Sequence, residues 1–184
     1  MGPRIIDPDR WMTGDDWVTF FPQKSAPIFY AYIEALFSSV GSKEYRNLYL
    51  DIGDGRGMRD ILEDGNLSCA YFPSSILLPF KLINKKHATV SGMLNDMLFD
   101  MWRKGSWERI KEPRVGSVLV WEKMTHASGN THAHIGFYAA HHTALSHRSE
   151  WRTPILHHWT FGVDERVRPI RKVERIYWNK KLDH

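Results

Sequence analysis

Three stretches of the chain predict helices, two by apolar residues at helical spacing and one by a continuous apolar run. The first predicts a helix over 25–40, with one face formed by Phe29, Ile33, Leu36 and Val40. The second is an apolar run over 69–83, which we interpret as a buried helix that begins near Cys69. The third stretch, over 90–104, has one stripe made of Val90, Leu94, Met97 and Met101. Either Thr89 or Ser91 can cap this third helix.

After Pro113 the helical spacing gives way to short apolar runs and alternating patterns that indicate strands. The predicted strands cover 115–122, 134–140, 143–147, 155–161 and one or two segments within 167–178. Helices therefore come first and strands follow one another. This segregation predicts the α+β class with an antiparallel sheet.

Composition limits the kind of protein that the chain forms. Of its 184 residues, 42% are hydrophobic and 25% are charged, which is typical of a folded globular domain. No run approaches the roughly 18 consecutive apolar residues of a membrane helix. The charged N-terminus, with Pro3 and Pro8, lacks the apolar core of a signal peptide. We therefore expect a cytoplasmic protein, although a phage lysin or a specialised secretion effector would also lack such a signal.

The chain contains a single cysteine, Cys69, which excludes an internal disulfide and any cysteine-rich zinc or iron–sulphur site. Cys69 lies where a loop is predicted to become a helix. Unpaired N–H groups and the helix dipole at such a position favour the nucleophilic thiolate. The alternative is that Cys69 is a small buried hydrophobic residue, as free cysteines usually are.

Two later segments complete a recognisable order of motifs. They are Pro113-Arg-Val-Gly-Ser-Val-Leu-Val-Trp121 and, after a polar loop, His132-Ala-His-Ile-Gly-Phe-Tyr138. With the upstream cysteine, this order resembles the papain-like cysteine amidases and peptidases of the NlpC-like and CHAP-like type. The resemblance covers roughly residues 67–158. It implies a papain-like core over 66–184, with an N-terminal helical extension over 1–65 packed on it.

The resemblance also implies a role for each candidate residue. Cys69 would be the nucleophile, and His134 would be the base that activates it and the acid that protonates the leaving amine. His132 lies on the same strand face by alternation and competes with His134 for this role. A third group would orient the imidazole. His147 is our choice for it, and His158 is the alternative.

These roles imply a cysteine-dependent amidohydrolase or peptidase that forms a thioester acyl-enzyme and needs no cofactor. The substrate would be a peptide or another amide, with bacterial cell-wall peptide as one candidate. The same Cys–His pair could serve an acyl transferase. The competing hypothesis is a non-catalytic interaction module on the same fold, in which Cys69 is merely buried.

Two other features have weaker functional interpretations. His132 and His134, joined by His126, His142 or His147, form a set of imidazoles suited to a transition metal. The spacing patterns of known histidine metal sites are missing, however, and we expect no metal. The basic tail over 166–181 is suited to nucleic acid, but its alternation with apolar residues favours the solvated face of a strand.

Overall fold

The computed structural model describes residues 27–125 and 131–183. Within these ranges the protein has three α-helices, a six-stranded antiparallel sheet and a separate two-stranded sheet. The predicted α+β class with an antiparallel sheet is thereby confirmed. None of the described helices is long and apolar enough to cross a membrane.

Helices α1 (Pro27–Ser38) and α3 (Val90–Lys104) follow their predicted stripes closely. The part of the first prediction that precedes Pro27 lies outside the described residues. In α3 the Thr89 side chain accepts a hydrogen bond from the backbone N–H of Gly92, so the capping residue is Thr89. Gly105 ends α3 in the left-handed region, at φ 65°.

Helix α2 (Tyr71–Leu77) is shorter than the predicted helix over 69–83. Its cap is Ala70, so Cys69 is the residue immediately before the cap. Pro73 is tolerated because it lies in the first turn, where its missing N–H has no helical partner. Pro79 has no backbone N–H to continue the helix, which ends with Leu78 as its C-cap.

The six-stranded sheet has the order β3-β8-β4-β5-β6-β7, and every neighbouring pair is antiparallel. The two-stranded sheet pairs β1 with β2. The strands are β1 (Tyr49–Leu50), β2 (Arg59–Asp60), β3 (Trp107–Ile110), β4 (Val118–Thr125), β5 (Thr131–Ala140), β6 (Thr143–Arg148), β7 (Thr153–His158) and β8 (Val173–Asn179).

Two outcomes at the ends of the sheet differ from the sequence prediction. Strand β3 was not predicted, because its four residues are too few to show a period, and pairing with β8 defines it. The C-terminal region of the described chain forms one strand. Val167 and Ile170, which were candidates for a further strand, are exposed in the loop before β8.

The sheet has two faces with different coverings. On the helical face, all three helices pack in one core against strand residues such as Val118, Ile135, Phe137 and Leu145. Helix α1 lies in this core although it belongs to the first 65 residues. The opposite face, which we call the histidine face, carries a smaller cluster centred on Leu119, Trp121, Ala144 and Ile176. The loop after β7 covers part of this second cluster with Trp159 and Phe161.

Candidate functional site

A chain of hydrogen bonds joins three neighbouring strands on the histidine face. His134 on β5 places Nε2 2.8 Å from the Ser146 hydroxyl on β6. The same hydroxyl lies 2.8 Å from Nε2 of His157 on β7. The Nδ1 atom of His157 lies 2.8 Å from the backbone carbonyl oxygen of His158. One buried serine therefore bridges two histidines that are 23 residues apart in sequence.

The carbonyl at the end of this chain determines the direction of every hydrogen bond. A carbonyl oxygen can only accept, so Nδ1 of His157 carries a proton. Burial lowers the pKa of His157 to about 4, so the ring is neutral at pH 7 and its Nε2 has a lone pair. The Ser146 hydroxyl donates to that lone pair, and its oxygen then accepts from Nε2–H of His134.

His134 is therefore protonated at Nε2, and its Nδ1 lone pair accepts no hydrogen bond from the described residues. Burial holds the pKa of His134 well below 6.5, and the nearby charge of Arg171 acts in the same direction. The ring is neutral at pH 7, as a proton acceptor must be. The residue as a whole is half-buried. Nδ1 can therefore act as a base, and the hydrogen bond from Nε2–H to Ser146 fixes the orientation of the ring.

A glycine allows strands β5 and β6 to approach closely enough for this contact. A Cβ atom at Gly136 would lie 2.6 Å from the Leu145 carbonyl oxygen and 2.7 Å from the Ser146 Cβ. Gly136 is two residues from His134, so both lie on the same face of β5. The Gly in the His-Ile-Gly motif therefore has a steric role in bringing Ser146 to His134.

Aromatic rings enclose the two histidines. The Trp121 ring lies 5.3 Å from the ring of His134 and 5.9 Å from that of His157, measured between centroids. The Phe161 ring lies 5.6 Å and 4.4 Å from the same two rings. Phe161 has φ 61°, a backbone conformation uncommon for an aromatic residue, and its packing against this cluster offsets the cost. These apolar walls are the desolvating surroundings that keep both imidazoles neutral.

Cys69 lies just before the cap of α2 and is partly exposed. Burial of most of the side chain raises the pKa of the Cys69 thiol to about 11. The charge of Arg171 and hydrogen bonds from the backbone N–H groups of Ala70 and Cys69 act in the opposite direction. The thiol is therefore neutral at pH 7 in this arrangement, and a base must take its proton before it can attack.

Arg171 is the residue that connects the cysteine to the histidines. Its charge lowers the pKa of the Cys69 thiol and also lowers the pKa of His134. Nε of Arg171 donates to the carbonyl oxygen of Glu122 at 3.0 Å, and Nη2 donates to that of His132 at 3.0 Å. Among the described residues no hydrogen bond links Cys69 to His134, and what the two groups share is the charge of this guanidinium.

Among the described residues no hydrogen bond joins His147 to His134. His147 is adjacent to Ser146 on β6, so its side chain points to the helical face while Ser146 points to the histidine face. Its neighbours include Gly65, where a Cβ atom would lie 3.2 Å from the His147 ring, and the backbone of Arg152. Burial lowers the pKa of His147 to about 4, and its Nε2 has no partner among the described residues.

The other candidates from the sequence are placed as follows. His158, the alternative orienting residue, accepts hydrogen bonds at Nδ1 from the backbone N–H groups of Thr160 and Gly162 and is adjacent to the Thr160 hydroxyl. Its role is therefore local to the turn after β7. His132 is exposed near the start of β5, two residues before His134.

Sequence reasoning missed Ser146, His157 and Arg171. His157 was noticed only as the neighbour of His158, and Arg171 only as part of a basic tail. The available signal was alternation, because counting along β6 and β7 separates Ser146 and His157 from His147 and His158. Using that signal required the strand register, which pairs Ala144 with His157.

No three histidine, cysteine, aspartate or glutamate side chains in residues 27–125 and 131–183 are grouped to hold a metal ion. His126, one of the candidate metal ligands, lies outside these ranges. Comparison with known proteins adds no assignment: no family model matches the chain. No curated protein shows significant sequence similarity to it.

Proposed function

We propose that the protein is a papain-like, cysteine-dependent amidohydrolase or peptidase. The observation that carries this proposal is the directed chain His134–Ser146–His157, which leaves Nδ1 of His134 as a buried, neutral and oriented base. The proposal makes Cys69 the nucleophile and requires its thiol to reach His134, and its support is the charge of Arg171, which lowers the pKa of both groups. Ser146 and His157 take the orienting role that the sequence analysis had given to His147.

The protonation states support attack with concurrent proton transfer. Both the Cys69 thiol and the His134 imidazole are neutral at pH 7, because burial raises the pKa of the thiol and lowers that of the imidazole. Nδ1 of His134 takes the thiol proton as sulphur attacks the amide carbonyl carbon. The transient imidazolium keeps its Nε2–H bond to Ser146 while it carries the extra proton at Nδ1.

The remaining steps follow from the same two side chains. The imidazolium returns its proton to the leaving amine when the C–N bond breaks, which gives a thioester on Cys69. Water, deprotonated by Nδ1 of His134, then attacks the thioester carbonyl carbon. The C–S bond breaks, the acid leaves, and the imidazolium returns its proton to the Cys69 sulphur. An amine acceptor in place of water would complete acyl transfer. Bacterial cell-wall peptide remains the candidate substrate, and its only support is the resemblance of the sequence motifs.

Because the chain has one thiol, alkylation by iodoacetamide tests the Cys–His pair directly. We expect alkylation of Cys69 at pH 7 to be faster in the folded parent than in folded His134→Ala, although burial raises the pKa of the Cys69 thiol to about 11. The faster alkylation should persist below pH 6.5, because the lowered pKa of His134 keeps its imidazole unprotonated there. It should be lost in His134→Ala and retained in His147→Asn, a matched change at a buried histidine on the other face.

Hydrolysis of peptide amides and of purified cell-wall peptide should then be assayed in the parent, Cys69→Ala and His134→Ala proteins. Release of product by the parent alone, with all three proteins folded by circular dichroism, is the expected result. Alkylation that occurs only after unfolding in urea, together with no hydrolysis, would refute the enzyme. That outcome would favour the non-catalytic interaction module.

A further inference from the structure

Helix α3 carries three large apolar side chains on its outward surface. Trp102 is 83% exposed, Phe99 is 55% exposed and Leu98 is 40% exposed. Trp102 is four residues after Leu98 and three after Phe99, so the three side chains adjoin on one side of the helix. The buried Met93 and Met97 lie on its opposite side. We call Leu98, Phe99 and Trp102 the apolar patch, and exposed patches of this kind are typical of interaction surfaces.

The negative charges of α3 are turned away from the apolar patch. The helix contains two acidic residues, Asp96 and Asp100, whose side chains are only 8% and 6% exposed. The Asp96 carboxylate lies 2.9 Å from Nε2 of His87 and accepts a hydrogen bond from the Asn84 side-chain amide at 2.6 Å. Asp100 forms an ion pair with Lys104 at 2.8 Å. The outward surface of α3 therefore presents apolar side chains and no carboxylate of its own.

Basic side chains lie next to the apolar patch. Arg103 belongs to the same helix, and its guanidinium carbon lies 5.4 Å from the centroid of the Phe99 ring. The loop before α3 is held against the helix, because the backbone N–H and the side-chain amide of Asn84 both donate to the Asp96 carboxylate. Lys85 follows Asn84 and is exposed beside the helix, one turn before Phe99.

Two further segments bring basic residues to the C-terminal end of α3. The backbone N–H of Lys180 donates to the carbonyl oxygen of Ser106 at 2.8 Å, two residues after the helix ends. Nζ of Lys181 donates to the carbonyl oxygen of Lys81 at 2.8 Å. We call the exposed basic residues of α3 and these segments the basic border; they are Lys81, Lys85, Arg103, Lys104, Lys180 and Lys181. Asp100 and Glu108 offset the charges of Lys104 and Lys180, which leaves the border positive.

We propose that α3 docks on the surface of an anionic lipid bilayer, with the Trp102 and Phe99 rings among the lipid headgroups and the basic border on the phosphates. Tryptophan is enriched at this depth of a membrane, and phenylalanine and leucine are common on the apolar side of helices that lie there. Lysine and arginine beside them are attracted to anionic lipids. The inference goes beyond the proposed amidase activity and does not depend on it.

The size of the apolar patch favours a bilayer over another protein. A stable protein–protein interface takes about 20–30 residues from each partner. The apolar patch has three residues, all on one helix, and its border is charged, whereas the cores of protein interfaces are depleted of charge. A bilayer surface needs only a few inserted side chains together with charges that reach the headgroups.

Flotation with lipid vesicles tests this inference on the full chain. The parent should float with vesicles of phosphatidylcholine mixed with phosphatidylglycerol and should not float with vesicles of phosphatidylcholine alone. Added salt should reduce binding, because it screens the basic border. Trp102→Ser should weaken binding about tenfold, the factor expected for one large apolar side chain that no longer leaves water. Trp151→Ser is the matched control, since Trp151 is 42% exposed in the turn between β6 and β7, and it should bind as the parent does.

The basic border has its own test. Arg103→Gln combined with Lys85→Gln should weaken binding to the mixed vesicles and reduce its salt dependence, because two cations are removed. Circular dichroism should show that all variants remain folded, as expected for substitutions of exposed side chains.

A parent that fails to float with the mixed vesicles at low salt would overturn the inference. This result is expected if another part of the chain or a second copy occupies the outward surface of α3, and light scattering would identify the second copy as a dimer that dissociates in Trp102→Ser. Binding that Trp102→Ser weakens no more than Trp151→Ser does would also overturn the inference, because the formal charge of +4 would then account for the attraction.

Discussion

Replacing Ser146 with alanine breaks both hydrogen bonds of the histidine chain with the loss of one oxygen atom. The Ser146 side chain is fully buried, so water cannot take over its two partners without rearrangement. His134 is left with an unpartnered Nε2–H, and His157 with an unpartnered Nε2 lone pair. Leaving one buried polar group unsatisfied costs about 1–3 kcal/mol. The half-buried His134 takes the lower end of this range, about 1 kcal/mol, and the buried His157 takes about 2 kcal/mol, which gives about 3 kcal/mol in total.

Urea denaturation of the parent and Ser146→Ala proteins measures this loss of unfolding free energy. Ser39→Ala is the matched control, because Ser39 is also buried but its hydroxyl donates only to the Leu36 carbonyl three residues earlier. Loss of that one local hydrogen bond should cost about 1 kcal/mol. A cost for Ser146→Ala that does not exceed the cost of Ser39→Ala would refute the bridging role of the serine.

The same variant tests the assignment of protons along the chain. In the parent, long-range proton–nitrogen NMR of the imidazoles should show His134 protonated at Nε2 and His157 protonated at Nδ1. In Ser146→Ala, His134 loses the partner that selects this tautomer, so both tautomers should appear. Turnover should fall by about 100-fold, the scale on which a positioned general base contributes to the rate. A parent His134 protonated at Nδ1 would contradict the mechanism.

The remaining predictions concern the strand spacing and the pH dependence of stability. Gly136→Ala should lower the unfolding free energy measured by urea denaturation by about 2–3 kcal/mol, because the new Cβ would lie 2.6 Å from the Leu145 carbonyl oxygen. Gly41→Ala is the control, since no atom lies within 4 Å of its Cβ position and only the φ of 75° is unfavourable. It should cost about 1 kcal/mol. The unfolding free energy should fall as the pH drops from 6.5 towards 4. In this range His157 binds a proton in the unfolded chain but stays neutral in the folded protein, where its pKa is about 4. His157 alone should account for about 3 kcal/mol of this loss. His157→Gln should therefore flatten the curve of unfolding free energy against pH. An unchanged curve would contradict the assignment of a neutral His157 in the folded protein.

Local patterns were sufficient for the features that depend on neighbouring residues. The stripe from Val90 to Met101, with Thr89 before it and Gly105 after it, predicts helix α3 because a helix is built from contacts three and four residues apart. Alternation of apolar and polar residues likewise predicted strands β5 and β6. The position of Cys69 directly before the cap of a buried helix also followed from the local run of residues.

The composition of the site depended on contacts between distant parts of the chain. Ser146 and His147 are adjacent, and the sequence pattern favoured the histidine. Which of the two reaches His134 is decided by the face that β6 turns towards β5, since successive side chains on a strand point in opposite directions. His157 joins the chain because β7 pairs with β6 in one register. Arg171 joins it because two carbonyl groups near the junction of β4 and β5 hold its guanidinium there. Register and long-range hydrogen bonding are tertiary properties, so they determined which residues surround His134.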